Sequence, residues 1–336
     1  MTDLFASPQW FGAWLEAFAD KKESISLSVA GTTIPFFVEH ASKLGMPLRF
    51  LRAPVNAHTP YFSLPFGDGV GEQSRLGELL AQSRCQWAWD WLQLELVPWS
   101  SVTHRVFMTL NQSGWPVLIE EHPCTAVVDI GEDWDTYVVE RLSRKMRTNT
   151  NRAENGLKRK GELVFGEHGN SLSWMDSLKA VFSLEARSWK GLKGSAIDCK
   201  PSEQKFYKDV LKYAQERGAL RIYTLHLDEN LIAANIVIIE KGKAYGWKTA
   251  YCPDLAKFSP GNVLQRHVLR DLYRQGGIQC LDMLDPVTDW KRRWATRIEP
   301  RAFIRVFSPT VKGRLLYHVA RRRVAPRQDG VTTEKV

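Results

Sequence analysis

Three apolar runs in close succession, residues 220–227, 231–239 and 243–251, constrain this chain more than any other feature. They are rich in β-branched and aromatic residues and are separated only by Asp228-Glu229-Asn230 and by Lys241-Gly242. Links this short cannot cross a sheet, so the runs are expected to pair antiparallel as a three-strand meander. Two helical patterns come before it. Trp174, Leu178, Val181, Phe182 and Ala186 recur at helical spacing within residues 172–189. Phe206, Tyr207, Val210, Leu211 and Ala214 do so after Ser202, a candidate N-cap, and Gly218 stands where a C′ residue belongs. After the meander a loop over 252–259 leads to Pro260-Gly261 and a helix with Val263, Leu264, Val268 and Leu272 on one face, ended by Gly276-Gly277. A strand over 278–284, a short helix over 287–294 and a strand over 302–307 follow, and a short strand at 162–165 opens the series. The predicted order is strand, two helices, three strands, helix, strand, helix, strand.

At 336 residues the chain has length for about two domains. Upstream, Trp10, Phe11, Trp14, Leu15 and Phe18 follow Pro8 at helical spacing, and strands are expected at 25–29 and 34–38 around Ala30-Gly31. A loop over 54–68, a helix over 72–82 and extended runs at 87–97, 115–119 and 126–130 come next. Trp87, Trp89 and Trp91 alternate, which in a strand puts three indoles on one face for core packing. Asp133 is a candidate N-cap for a long helix through Trp134, Tyr137, Val138, Leu142 and Met146. The expected organisation is an N-terminal domain over 1–132, a basic connecting helix over 133–160, a second domain over 161–310 and a basic tail over 311–336, helical between 313 and 323.

With 44% hydrophobic residues the chain is globular rather than disordered. Its longest apolar stretch, 231–239, contains Asn235 and falls far short of the roughly 20 residues a membrane span needs. Met1-Thr2-Asp3-Leu4-Phe5 has no basic region leading into an apolar run, so no secretory signal is expected. Cys85, Cys124, Cys199, Cys252 and Cys280 are scattered, which argues against a disulfide framework or zinc site and for a cytoplasmic home. The histidines are isolated, so no metal is expected. The net charge of +9 is local: residues 141–160 carry +7 and residues 311–336 carry +5, leaving about −3 elsewhere. Such segments suit anionic partners: a phosphate-bearing cofactor, nucleic acid or an acidic lipid surface.

The element order matches the GNAT acyltransferase fold, which binds acyl-coenzyme A, and the residues resemble one branch of it. The run from Phe182 to Gly191, with Glu185, Ser188, Trp189 and Lys190, is similar to the Glu-x-x-Ser-Trp-Lys stretch of CelD-like acyltransferases of cellulose and exopolysaccharide biosynthesis. Ala250-Tyr251 followed by Ser259-Pro260-Gly261-Asn262-Val263-Leu264 resembles their Tyr-Asp…Ser-Pro-Gly-x-x-Leu signature, with Cys252-Pro253 after the tyrosine instead. Asp282, Asp285, Lys291 and Trp294 resemble their closing Asp…Lys-x-x-Trp block. The usual pyrophosphate loop, Gln/Arg-x-x-Gly-x-Gly/Ala, is absent. This branch is related to Fem-type aminoacyl transferases with two GNAT domains in tandem. The resemblance therefore implies an α/β (α+β) fold of two GNAT-like domains, the second complete and the first degenerate.

Acyl transfer needs a positioned, deprotonated acceptor and a stabilised oxyanion. Glu185 is a candidate base, although a surface glutamate paired with a nearby cation reads equally well. Tyr251, ending a strand, is implied as the acid towards a leaving thiolate. Gly261, Asn262 and Val263, behind Ser259 and Pro260, would offer first-turn amides to a pyrophosphate, and Lys257 would add charge. Arg187, Trp189, Lys190, Asp282, Asp285, Lys291 and Trp294 are candidate acceptor-binding residues. Three functions stay open: an acetyl-CoA- or other acyl-CoA-dependent N- or O-acyltransferase acting on a saccharide or amino-sugar precursor; a Fem-like aminoacyl-tRNA-dependent transferase; and a non-enzymatic nucleic-acid-binding protein using 141–160 and Arg321-Arg322-Arg323.

Overall fold

The computed structural model describes residues 3–19, 22–29, 31–43, 45–66, 71–131, 133–168, 174–187, 200–284 and 286–324. In chain order, α1 spans Pro8–Phe18, β1 Ser24–Val29, β2 Thr32–Lys43, β3 Met46–Arg52, α2 Glu72–Trp87, β4 Trp91–Pro98, α3 Val102–Leu110 and β5 Val117–Asp129. There follow α4 Trp134–Glu140, α5 Arg144–Lys158, β6 Leu163–Glu167, α6 Trp174–Ala186, α7 Pro201–Glu216, β7 Leu220–Leu227, β8 Asn230–Glu240 and β9 Lys243–Tyr251. The chain then forms α8 Pro260–Gln275, β10 Cys280–Asp282, α9 Asp289–Trp294, β11 Arg297–Phe307 and α10 Val311–Arg323. No helix among the described residues is long and apolar enough to cross a membrane.

This mixed α/β chain divides into two compact units that interleave in sequence. The first comprises Met1–Lys21, Asn56–Pro60 and Pro123–Pro300; the second comprises Lys22–Val55, Tyr61–His122 and Arg301–Val336. Met1–Lys21 and Asn56–Pro60, expected in an N-terminal domain, thus fold with the later part of the chain.

In the first unit the strands run in the order β5-β10-β9-β8-β7-β6, with the end of β5 at one edge. The predicted meander is present: β7 pairs antiparallel with β8, and β8 with β9. Its strands are covered on both faces, which explains why they read as near-continuous apolar runs rather than alternating ones. Val263, Val268 and Leu272 of α8 pack in one core with Tyr223, Leu225 and Val237. An aromatic cluster joins α1 to α7 and β9: Trp10 meets Phe206 edge-on at 5.3 Å and tilts against Trp247 at 5.9 Å.

Strand β10 pairs parallel with β9 only from Cys280↔Lys243 to Asp282↔Tyr245, while β9 continues to Tyr251 against β8 alone. The strands therefore part after Tyr245. Next to the parting the β8–β9 register shifts between Ile236 and Val237, which leaves Trp247 as the extra residue of a bulge. Asp282 fixes where β10 stops. Its buried carboxylate accepts from Thr125 Oγ1 and, at 2.8 Å, from the N–H of Leu284, which is held at φ 59 in the left-handed region. That conformation is costly for a branched side chain and persists because neighbours impose it.

The second unit repeats part of this order. β1, β2 and β3 form an antiparallel meander, α2 crosses over to β4 parallel to β3, and β11 lies antiparallel to β4. Several local expectations differ here. α2 extends to Trp87 and stops because Ala88 turns left-handed, so Trp87 ends a helix, Trp89 is buried between elements and only Trp91 begins a strand. β3 and α3 were not anticipated, and the runs at 115–119 and 126–130 belong to one strand, β5. In the first unit, the expected long helix after Asp133 is two helices, because Ser143 Oγ accepts from the N–H of Met146 and caps α5 afresh. Helix α7 begins at Pro201 with Lys200 as its N-cap, not Ser202.

Asp282→Ala should lower unfolding free energy by about 2–3 kcal/mol in urea titrations, because two buried donors lose their acceptor.

Candidate functional site

Two cavities in the first unit flank the place where β9 leaves β10. One encloses about 770 Å³ of open space and is lined by Gly246, Trp247 and Lys248 of β9, by Leu281 and Leu284, and by His58 and Tyr207. The other, about 780 Å³, lies between the ends of β8 and β9 and the start of α8, with Tyr251, Ser259, Gly261 and Asn262 in its wall. Asn235, Thr249, Gln265 and Trp290 line both cavities and so form a shared wall.

Two members of that wall are chemically unfinished. Asn235 and Gln265 are each 3% exposed, yet Asn235 Oδ1 and Gln265 Nε2 have no hydrogen-bond partner among the described residues. Each such group costs about 1–3 kcal/mol unless something satisfies it. One acceptor and one donor thus remain at the junction of the cavities.

The first cavity is bordered by buried charge. Glu185, 1% exposed, holds Lys248 Nζ at 2.9 Å, and the ammonium lies over the Tyr207 ring, 5.4 Å from its centroid. Glu185 is therefore not a surface residue, and it stands behind Lys248 rather than among the lining residues. His58 stacks parallel on Phe18, its Nδ1 is 3.0 Å from Tyr207 Oη, and its Nε2 is 3.3 Å from Glu203 Oε2. Glu203 is held in turn by Lys200 at 2.7 Å, and the His58 carbonyl accepts from Trp247 Nε1 at 2.8 Å. Burial holds the imidazole below its ordinary value of 6.5 against the upward pull of Glu203. Burial, reinforced by Glu185 and Glu203, pushes the Tyr207 phenol well above 10. A neutral imidazole with its proton on Nε2 leaves Nδ1 to accept from Tyr207 O–H.

Of the residues singled out from sequence, Tyr251, Ser259, Gly261 and Asn262 come together in the second cavity and Lys291 in the first. Ser259 enters α8 in the left-handed conformation, and its carbonyl accepts from Asn262 N at 2.9 Å and Val263 N at 3.3 Å. Those two amides are engaged within the helix, and Val263 is fully buried away from the cavity. Lys257 is exposed and lies over Phe258, outside both linings. Asn262 Oδ1 accepts from Trp294 Nε1 at 3.2 Å, so Trp294 braces the start of α8. Lys291 Nζ donates to the carbonyls of Leu284, at 2.8 Å, and Pro286, at 3.1 Å, closing the turn that Asp282 begins. Arg187 is exposed at the end of α6. Trp189, Lys190 and Asp285 lie outside the described residues. No group of His, Cys, Asp and Glu side chains able to hold a metal ion occurs among the described residues.

His58, Tyr207, Asn235, Lys248 and Gln265 were not singled out from sequence. Asn235 carried a signal, a lone amide inside an apolar strand, and so did Gln265, beside Leu264 on the inward face of α8. His58 carried none, because it sits in a loop far from the site in sequence.

Asn235→Leu and Gln265→Met should leave the melting temperature of the ligand-free protein unchanged or raise it, since each replaces an unsatisfied buried amide with an apolar group of similar shape. A drop of more than a few degrees would mean that these amides support the fold. The lowered value of His58 has a defined sign. Below about 6.5 the unfolded chain takes up a proton that folded His58 resists. Its contribution is constant above that pH and becomes destabilising as pH falls. Melting temperature should therefore decline between about pH 7 and 5, and less steeply in His58→Gln.

Residues 144–292 match the family model described as an acetyltransferase (GNAT) domain. Comparison with curated proteins returns no match. Among solved structures the chain is similar to FemX, with 12% identity and a TM-score of 0.54 over 91% of this chain and 92% of that one. It is also similar to the C-terminal domain of a putative lysylphosphatidylglycerol synthetase from Agrobacterium fabrum, at 14% identity and a TM-score of 0.52 over 94% and 92% of the two chains. L-PGS from Bacillus licheniformis aligns at 13% identity with a TM-score of 0.52 over 96% and 98%. At such identities the likenesses concern the fold. The match over residues 144–292 is to an acetyltransferase (GNAT) domain, and it supports a transferase.

Proposed function

We propose that the protein moves an acyl group from a coenzyme A thioester, seated in the cavity at the start of α8, to an amine or hydroxyl of a polar acceptor in the cavity beside Lys248. The shared wall carries this reading: two cavities meet at Asn235, Thr249, Gln265 and Trp290, where buried amides await partners. A thioester carbonyl reaching the wall finds a donor in Gln265 Nε2, and an acceptor N–H or O–H finds Asn235 Oδ1. In this reading the acceptor's proton passes to Tyr207 Oη as the tyrosine's own proton moves to His58 Nδ1, leaving an imidazolium beside Glu203. Glu185 acts through Lys248, holding the ammonium at the cavity wall. Tyr251, at the mouth of the donor cavity, protonates the leaving thiolate.

A saccharide or amino-sugar acceptor, of the kind used in polysaccharide synthesis, suits a cavity bordered by Lys248, His58 and Tyr207, since sugars are bound by hydrogen bonds and aromatic faces together. We read the second unit as a degenerate repeat of the first, because it keeps the meander, crossover helix and parallel strand. The free thiols of Cys85, Cys124, Cys252 and Cys280 suit a reducing, cytoplasmic setting.

Coenzyme A at a hundredfold excess over its Kd should raise the melting temperature, equivalent to about 2.7 kcal/mol. A Cβ at position 261 would meet nothing nearer than Tyr251 Cδ1 at 3.8 Å, so Gly261→Ala should fold normally and lose affinity for coenzyme A if the ligand approaches that backbone. With a panel of acyl-CoA donors and amino-sugar acceptors, Tyr207→Phe should release free thiol about a hundredfold more slowly. Salt-dependent stabilisation by tRNA, with no effect of coenzyme A, would replace this donor by an aminoacyl-tRNA.

A further inference from the structure

Thr310 caps helix α10 through the N–H of Gly313 at 3.1 Å. One face is docked: Lys312 Nζ reaches Asp90 at 2.8 Å, and Tyr317 meets Phe307 edge-on at 5.7 Å. The solvent-facing side, bordered by Lys312, carries Val311, Leu315 and Val319, which are 88%, 54% and 36% exposed. At spacings of four residues these three side chains form one stripe along a helix about 20 Å long. Arg314 and Arg321 flank the stripe on one side and Arg323 on the other, Arg322 lies within its arc, and all four are exposed. No Asp or Glu occurs between Glu299 and Asp329.

We infer that α10 lies flat on an anionic lipid bilayer, with Val311, Leu315 and Val319 in the boundary between headgroups and acyl chains and the arginines on lipid phosphates. The charge selects the partner and the stripe selects its kind. Arginines alone would suit any polyanion, nucleic acid included. Nucleic acid offers no apolar phase to cover a solvent-facing Val-Leu-Val row, whereas a bilayer interface takes up both features together. A surface helix of this length with one apolar row is an interfacial anchor, not a span. The inference stands on the second unit alone and does not depend on the donor or acceptor of the reaction.

The test uses the full chain and sedimentation with vesicles of phosphatidylglycerol and phosphatidylcholine in roughly equal parts, against vesicles of phosphatidylcholine alone. Binding should favour the anionic vesicles at least about tenfold and weaken sharply as salt rises from about 0.1 to 0.5 M. L315E/V319E should abolish sedimentation while leaving the melting temperature unchanged, since both side chains face solvent. R321Q/R322Q/R323Q should weaken it by about a hundredfold, near fivefold per arginine. Failure of the wild type to bind anionic vesicles would overturn the proposal. So would undiminished vesicle binding by L315E/V319E, or binding of duplex DNA as tight as that of the vesicles, because either would show a site for charge alone.

Discussion

The parallel contact between β9 and β10 lasts three residues, and the site depends on its ending there. A longer ladder would fill the space where both cavities lie, and a shorter one would leave β10 held by β5 alone. Asp282 sets the stopping point by drawing in Thr125 and turning Leu284 into a conformation it would not adopt alone. Lys291 then fastens the far side of the turn through two carbonyls. These residues look like ligand-binding groups in the sequence. In the structure, Asp282 is framework, and Lys291 lines a cavity while its ammonium supports the wall. The difference matters for interpreting variants: loss of activity in either would first report a displaced turn.

Charge placement around the first cavity follows the same economy. Two buried carboxylates, Glu185 and Glu203, each hold a lysine, and between them stand Tyr207 and His58. Burying ions is costly, and a pair replaced by apolar groups is often no less stable. Their retention beside a cavity fits a role in ligand chemistry better than one in stability. Desolvation keeps the imidazole neutral and the phenol protonated, which is the arrangement a hydrogen-bonded relay needs.

Much of the first unit was legible in the sequence because its signals are local. The meander was announced by two short turns, and α8 by Pro260-Gly261 and its periodic apolar face. The second unit was less legible. Trp87, Trp89 and Trp91 follow a strand pattern, yet a left-handed Ala88 divides them, and alanine gives no hint of that conformation. The site was half legible. Tyr251, Ser259, Gly261 and Asn262 lie on one contiguous hairpin of chain, strand to helix. His58 reaches the cavity only because Asn56–Pro60 folds with residues more than sixty positions later, a fact no spacing rule contains.

The same interleaving has a consequence during synthesis. Trp10 and Phe5 of the first unit find their ring partners in Phe206, Tyr245 and Trp247. At ribosomal rates of about 5–20 residues per second, those partners emerge on the order of ten to fifty seconds after α1 does. Throughout that interval Phe5 and Trp10 have each other but lack these later partners. Translation speed and holdase chaperones will therefore bear on the yield of this protein more heavily than its finished contacts suggest.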